Sequence, residues 1–165
     1  MDSGEAEMKQ YAKSLILGFM LLCIHAVSAE NNFPQSRLNI IATDLAKGEI
    51  GRIEILQMPP EIETRARVTP ELLDKWYYYK LTIRNFGESA YRDKIASSFK
   101  SLSAERQNDS GDIRWGVIFY TRDEKRVGAV FFDRWGKKGS VDFVPVSFKG
   151  SFFSWLEDTF STCFQ

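Results

Sequence analysis

The 165-residue chain carries 22 basic and 22 acidic side chains and so has no net charge, which argues against a nucleic acid or an anionic membrane surface as its partner. A single histidine (His25) and two cysteines (Cys23 and Cys163) leave little material for catalytic triads, zinc sites or disulfides. The 13 Phe, 6 Tyr and 4 Trp are enough to serve a core and leave some for a contact surface.

Residues 15–27 are almost continuously apolar, and Val27-Ser28-Ala29 places small residues where a signal peptidase reads them. That combination predicts a secretory signal, residues 1–29, cleaved after Ala29 and too short to anchor the chain in a bilayer. Lys9 and Lys13 form the positive region directly after Met8, whereas Asp2, Glu5 and Glu7 precede it, so translation is expected to start at Met8. Lipidation at Cys23 fits poorly, because the preceding residue is Leu22 rather than a small one. The protein is therefore expected to be exported, periplasmic or extracellular, and off the membrane once cleaved.

Residues 30–165 then form the mature chain, 136 residues long and one domain by length. A chain of that size buries about two-thirds of its unfolded surface, enough for a core without staples. Cleavage removes two basic and three acidic residues, leaving a net charge of +1, and takes His25 and Cys23 with it. Cys163 alone remains, so no disulfide within the chain is available.

In chain order, Ser36 is placed to cap a helix with Leu38, Ile41, Ala42 and Leu45 on one side, stopped by Gly48. Ile50 to Met58 alternates as a strand and ends at Pro59-Pro60. Thr69-Pro70-Glu71 predicts a short helix with Leu72, Leu73 and Trp76 turned inward. Tyr77 to Arg84 returns to period two, with Tyr79, Leu81 and Ile83 on one face. A helix from Ser89 to Leu102 carries Tyr91, Ile95, Phe99 and Leu102 as one stripe, and Ser103–Gly111 reads as a polar loop.

Asp112 to Val146 reads as a three-stranded meander. A first turn centred on Asp123-Glu124 sets Trp115 opposite Phe132, Val117 opposite Val130 and Phe119 opposite Gly128. A second loop, Trp135 to Lys138, sets Phe132 opposite Val141 and Val130 opposite Phe143. One face is then Trp115, Val117, Phe119, Val130, Phe132, Val141 and Phe143, apolar enough to require cover. The other is mixed: Arg114, Gly116, Ile118, Tyr120, Val127, Ala129, Phe131, Asp133, Asp142 and Val144, with Arg114 placed to pair with Asp133. Gly150-Ser151 starts a final helix with Phe152, Trp155, Leu156 and Phe160 on one stripe. The order predicts an α+β domain with a mostly antiparallel mixed sheet, a C-terminal three-stranded meander and helices packed mainly on one face.

Without histidine in the mature chain, histidine-based catalysis is unavailable; there is no phosphate-cradling glycine motif, and no cofactor or metal is implied. Carboxylate-only hydrolysis of cell-wall or polysaccharide material remains open, with Asp112, Asp133 and Asp142 as candidates expected near one end of the hairpins. Cys163, near a helix C-terminus, makes a poor nucleophile; it is expected to pack as a small hydrophobe, with a disulfide-linked homodimer as the alternative. Trp76-Tyr77-Tyr78-Tyr79 is expected in the core, although its rings would also suit stacking on a sugar or base.

The favoured expectation is a small exported non-enzymatic protein-binding domain, of inhibitor or immunity type. Its surface would be Arg114, Tyr120, Phe131, Asp133, Arg134, Trp135, Lys137 and Lys138, on the mixed face and its hairpin tip. The rivals are the carboxylate hydrolase and a homo-oligomeric envelope structural protein.

Overall fold

Seven antiparallel strands in the order β2-β1-β4-β5-β6-β7-β3 make one sheet, and helices lie on it. The computed structural model describes residues 33–86 and 92–164. The expected signal, its cleavage site, the start at Met8 and the beginning of the helix expected from Ser89 lie outside the described residues. The elements are α1 (Phe33–Lys47), β1 (Ile50–Gln57), α2 (Pro70–Lys75), β2 (Tyr79–Arg84), α3 (Arg92–Lys100), β3 (Ser103–Arg106), β4 (Ile113–Thr121), β5 (Arg126–Asp133), β6 (Lys138–Val141), β7 (Val144–Lys149) and α4 (Phe152–Phe160). A 3₁₀ turn, Ser161–Phe164, follows α4. The fold class is α+β, as the pattern predicts, and no helix among the described residues is long and apolar enough to cross a membrane.

The main core lies between one sheet face and three helices. Ile53 and Ile55 of β1, Trp115, Val117 and Phe119 of β4, Val130 and Phe132 of β5 and Val141 of β6 meet α1 (Leu38, Ile41, Leu45), α3 (Ile95, Phe99) and α4 (Phe152, Leu156, Phe160). The 3.6-residue period of the helices and the two-residue period of the strands deliver these side chains to one layer. Tyr79, Leu81 and Ile83 pack against the margin of that core, as their alternation predicts. A smaller second core on the other face joins Leu56, Val68, Leu73, Ile113, Ile118, Ala129 and Phe131 beneath α2 and the segment leading into it.

Several expectations are corrected. α1 begins at Phe33, so Ser36 sits inside the helix rather than capping it. In α2 the Thr69 hydroxyl does accept from the Leu72 N–H, but only Leu73 of the expected inner face is buried; Leu72 and Trp76 are exposed. The first hairpin has the predicted register, Trp115↔Phe132, Val117↔Val130 and Phe119↔Gly128. The second is displaced by two residues, to Val130↔Val141 and Phe132↔Gly139. A shift of two preserves the faces, so Val141 still enters the core.

The meander has four strands rather than three, because the chain turns again at Asp142-Phe143, both at positive φ (45° and 72°). Phe143 consequently leaves the main core and stacks on Phe131 across the opposite face, at 5.6 Å. Val127 packs with the main core instead of the mixed face, beside the irregularity between Phe119 and Tyr120. Ser103–Arg106, expected as loop, is an edge strand paired with β7.

Candidate functional site

The β5–β6 hairpin tip is held in shape by its own first residue. Asp133 Oδ1 accepts hydrogen bonds from the backbone N–H groups of Trp135 (3.1 Å) and Lys137 (2.9 Å), and the Asp133 carbonyl accepts from Gly136 N–H (3.2 Å). A short acidic side chain that satisfies two turn amides is the local reason the chain reverses there. Gly136 adopts φ +66°, and a Cβ at that position would lie 2.1 Å from Cγ of Phe153 on α4. Only glycine therefore lets the loop lie against the helix.

Trp135 is left 64 % exposed, with the Arg134 guanidinium 4.3 Å from its ring centroid. Beside it opens a cleft of about 440 Å³ between the hairpin tip, the Pro59-Pro60 segment and α4. Trp115 and Phe153 meet edge-to-face within its lining, and Glu61 and Glu157 join Arg114 and Arg134 there. A concave site of this volume with convergent polar groups is suited to a ligand group or an inserted side chain.

The remaining predicted residues do not converge. Arg114 does not pair with Asp133: its guanidinium donates to Asp112 Oδ2 (2.8 and 2.6 Å) and to the Pro59 and Ile62 carbonyls. The irregularity between Ile113 and Trp115 sets Ile113, not Arg114, opposite Asp133. Phe131 is fully buried in the second core and offers no contact surface. Lys137 and Lys138 are exposed beside Trp135, Lys138 lying 3.6 Å from Asp109.

Tyr120 belongs to a separate ionic cluster. Its hydroxyl donates to Glu54 (3.1 Å), which also receives Lys80 Nζ (2.7 Å) and Arg52, while Arg52 lies 3.6 Å from the Tyr120 ring centroid. Burial alone would raise the Glu54 carboxyl, but the hydrogen bond and charge of Lys80, with the charge of Arg52, hold it below the ordinary range. The Glu54 hydrogen bond moves Lys80 upward, and burial followed by the Glu54 charge raises Tyr120.

The three candidate aspartates are not one constellation. Asp142 Oδ1 accepts from the Ala129 N–H (2.8 Å) and Oδ2 from Arg37 (2.6 Å). Ala129 is four residues from Asp133 along β5, about 13 Å at the rise of a strand, so Asp142 and Asp133 stand at different ends of the hairpins. Asp112 accepts from Val68 N–H and Arg114. No group of three His, Cys, Asp or Glu side chains able to hold a metal ion occurs among the described residues.

Cys163 is exposed in the 3₁₀ turn, not packed. Trp76, Tyr77 and Tyr78, expected in the core, are exposed at 71 %, 41 % and 61 %. Gln57 escapes the sequence reading altogether: it is 9 % exposed, lines the cleft, and its Oε1 is buried without a hydrogen-bond partner. The signal was present, since Ile53, Ile55 and Gln57 occupy successive core-facing positions of one strand and the third is polar. No family model, curated protein or solved structure matches the chain.

Proposed function

We propose that this chain is an exported, non-enzymatic protein-binding domain of inhibitor or immunity type. It meets its partner through the Trp135 loop and the cleft beside it. The observation that carries this reading is Trp135, an exposed anchor on a loop rigidified by Asp133 and Gly136 at the mouth of a cleft. Large aromatics beside arginine dominate the energetics of protein interfaces, and a pre-shaped loop loses little entropy on docking. The mixed sheet face contributes less than the strand pattern suggests, because Phe131 and its neighbours are already covered.

Affinity capture with the tagged protein recovered from the exported fraction tests this. Trp135→Ala should cost the captured partner at least about 2 kcal/mol of binding, whereas Trp76→Ala, an equally exposed tryptophan elsewhere, should leave capture intact. Equal loss in both variants would indicate nonspecific aromatic adhesion and remove the proposal.

Self-association is a second reading, favoured by the exposure of Cys163. It predicts a dimer on a non-reducing gel that collapses with reductant and is absent in Cys163→Ser. The hydrolase reading is weakened by the ligation of Asp112, Asp133 and Asp142 to backbone amides or arginines.

A further inference from the structure

The sheet order leaves β2 at one end, paired only with β1 among the described residues. Its pairing with β1 runs without a bulge, and the strand contains neither proline nor a charge on its core-facing side. Those are devices that keep an open edge from templating another strand, and an edge lysine is a further one. Here the lysine is drawn away: Lys80 Nζ lies 2.7 Å from Glu54 on β1, back over its own sheet. The opposite edge, β3, is only four residues long and exposes Glu105 and Arg106. The β2 edge is therefore the less guarded of the two.

Self-pairing of this edge is restricted by charge. A two-fold axis that joins two β2 strands antiparallel stands perpendicular to the sheet, so facing residues have the same parity and keep their faces. Centring the pair on Lys80 opposes the two lysines, and centring it on Thr82 opposes Lys80 to Arg84 twice. Like charges directly opposite are destabilising. Centring on Leu81 avoids both. It sets Leu81 against itself, Tyr79 against Ile83 and Lys80 against Thr82, and it brings the exposed Arg84 across from the exposed Tyr78 rather than from a second cation. Tyr79, Leu81 and Ile83 are only partly buried at the margin of the main core, so this register continues their apolar row across the axis. Trp76 and Tyr77, exposed just before the strand, add apolar surface next to the pairing.

We infer that β2 is a docking edge for a second copy of this chain, paired antiparallel about Leu81 so that the two seven-stranded sheets become one. The inference goes beyond the protein-binding reading, which concerns the Trp135 loop, and it requires nothing of Cys163.

Sedimentation equilibrium of the purified protein in reductant tests it, over a concentration series reaching about 1 mM. The wild type should reach a dimer and go no further, because a two-fold edge contact is closed. Thr82→Lys sets a second cation opposite each Lys80 of the other copy while facing Glu54 within its own sheet. It should leave the fold intact and raise the dimer dissociation constant about tenfold. Register is read by oxidation in a chain whose native cysteines are replaced by serine. Leu81→Cys should link the two copies at the axis, whereas Ile83→Cys, about 13 Å from its symmetry mate at the rise of a strand, should not. A monomer at every concentration, a dimer seen only without reductant, a dimer indifferent to Thr82→Lys, or preferential linking through Ile83→Cys would each overturn the assignment. So would protection of the β2 amides from hydrogen exchange that appears only with the captured partner, which would give the edge to a strand of that partner. Capture through Trp135 is measured separately, so the protein-binding reading stands or falls on its own.

Discussion

Gln57 and Asp142 show two opposite ways in which a single polar side chain bears on stability. Replacing a buried unpaired amide by an apolar group of similar size removes a desolvation cost. Gln57→Leu should therefore raise stability by about 1 kcal/mol, which urea denaturation checks. A clear loss of stability would show that Gln57 has a partner in the free protein. Asp142 should behave in the opposite way. Its carboxylate accepts from the Ala129 N–H and from Arg37, so Asp142→Ala leaves a buried backbone donor without its acceptor. The expected cost is about 1–3 kcal/mol, with partner capture preserved once the protein is folded. A large effect on function without one on stability would restore Asp142 as a chemical group.

Among the elements, the β5–β6 hairpin carries the clearest dependence on one residue. Gly136 combines a left-handed backbone with contact against Phe153, so Gly136→Ala adds backbone strain and a clash against α4. A destabilisation of more than about 2 kcal/mol is expected, together with loss of the fluorescence and capture signatures of Trp135. A variant of full stability would mean that the loop does not rest on α4.

The same region shows what the sequence makes legible. The first hairpin register follows from alternating apolar residues flanking a short polar turn, and it is correct. The second is displaced by two because Asp142-Phe143 reads as strand by composition. A phenylalanine at positive φ is uncommon, and here it is held by stacking on Phe131 and the Arg126 guanidinium, 5.4 Å from its ring. β3 could not be read at all. Ser103–Arg106 has only Ala104 to turn toward the core, too little to read as a strand, and its pairing depends on the backbone groups that β7 presents to it. Likewise Trp135 was legible as a hairpin-tip residue, whereas the cleft beside it required the distant Pro59-Pro60 segment and α4.

Across the whole molecule the two sheet faces are stabilised differently, and this predicts how the protein responds to acid. The helix-covered face is apolar throughout its centre. On the other face, the part formed by β2, β1 and β4 carries Arg52, Glu54, Lys80 and Tyr120, with Glu124 from the β4–β5 turn bridged to Arg52. Glu54 is the common acceptor tying three strands together, and its carboxyl is held below the ordinary value. A depressed folded-state value means that the native state binds its proton less readily than the unfolded chain. Glu54 thus contributes stability that is fully present above the ordinary glutamate range, near pH 4.5, and is lost as pH falls through its lower folded value. Glu54→Gln should cost about 2 kcal/mol at pH 7, because it leaves Lys80 and Arg52 without their shared carboxylate. The difference between variant and wild type should shrink as pH drops below 4.5, where the unfolded chain takes up the proton that the native carboxylate still resists, until the lower folded value is passed. Urea midpoints measured for both proteins from pH 7 to 3 decide the matter. A gap that stays constant across that range would show that Glu54 acts through its shape and hydrogen bonds rather than through its charge.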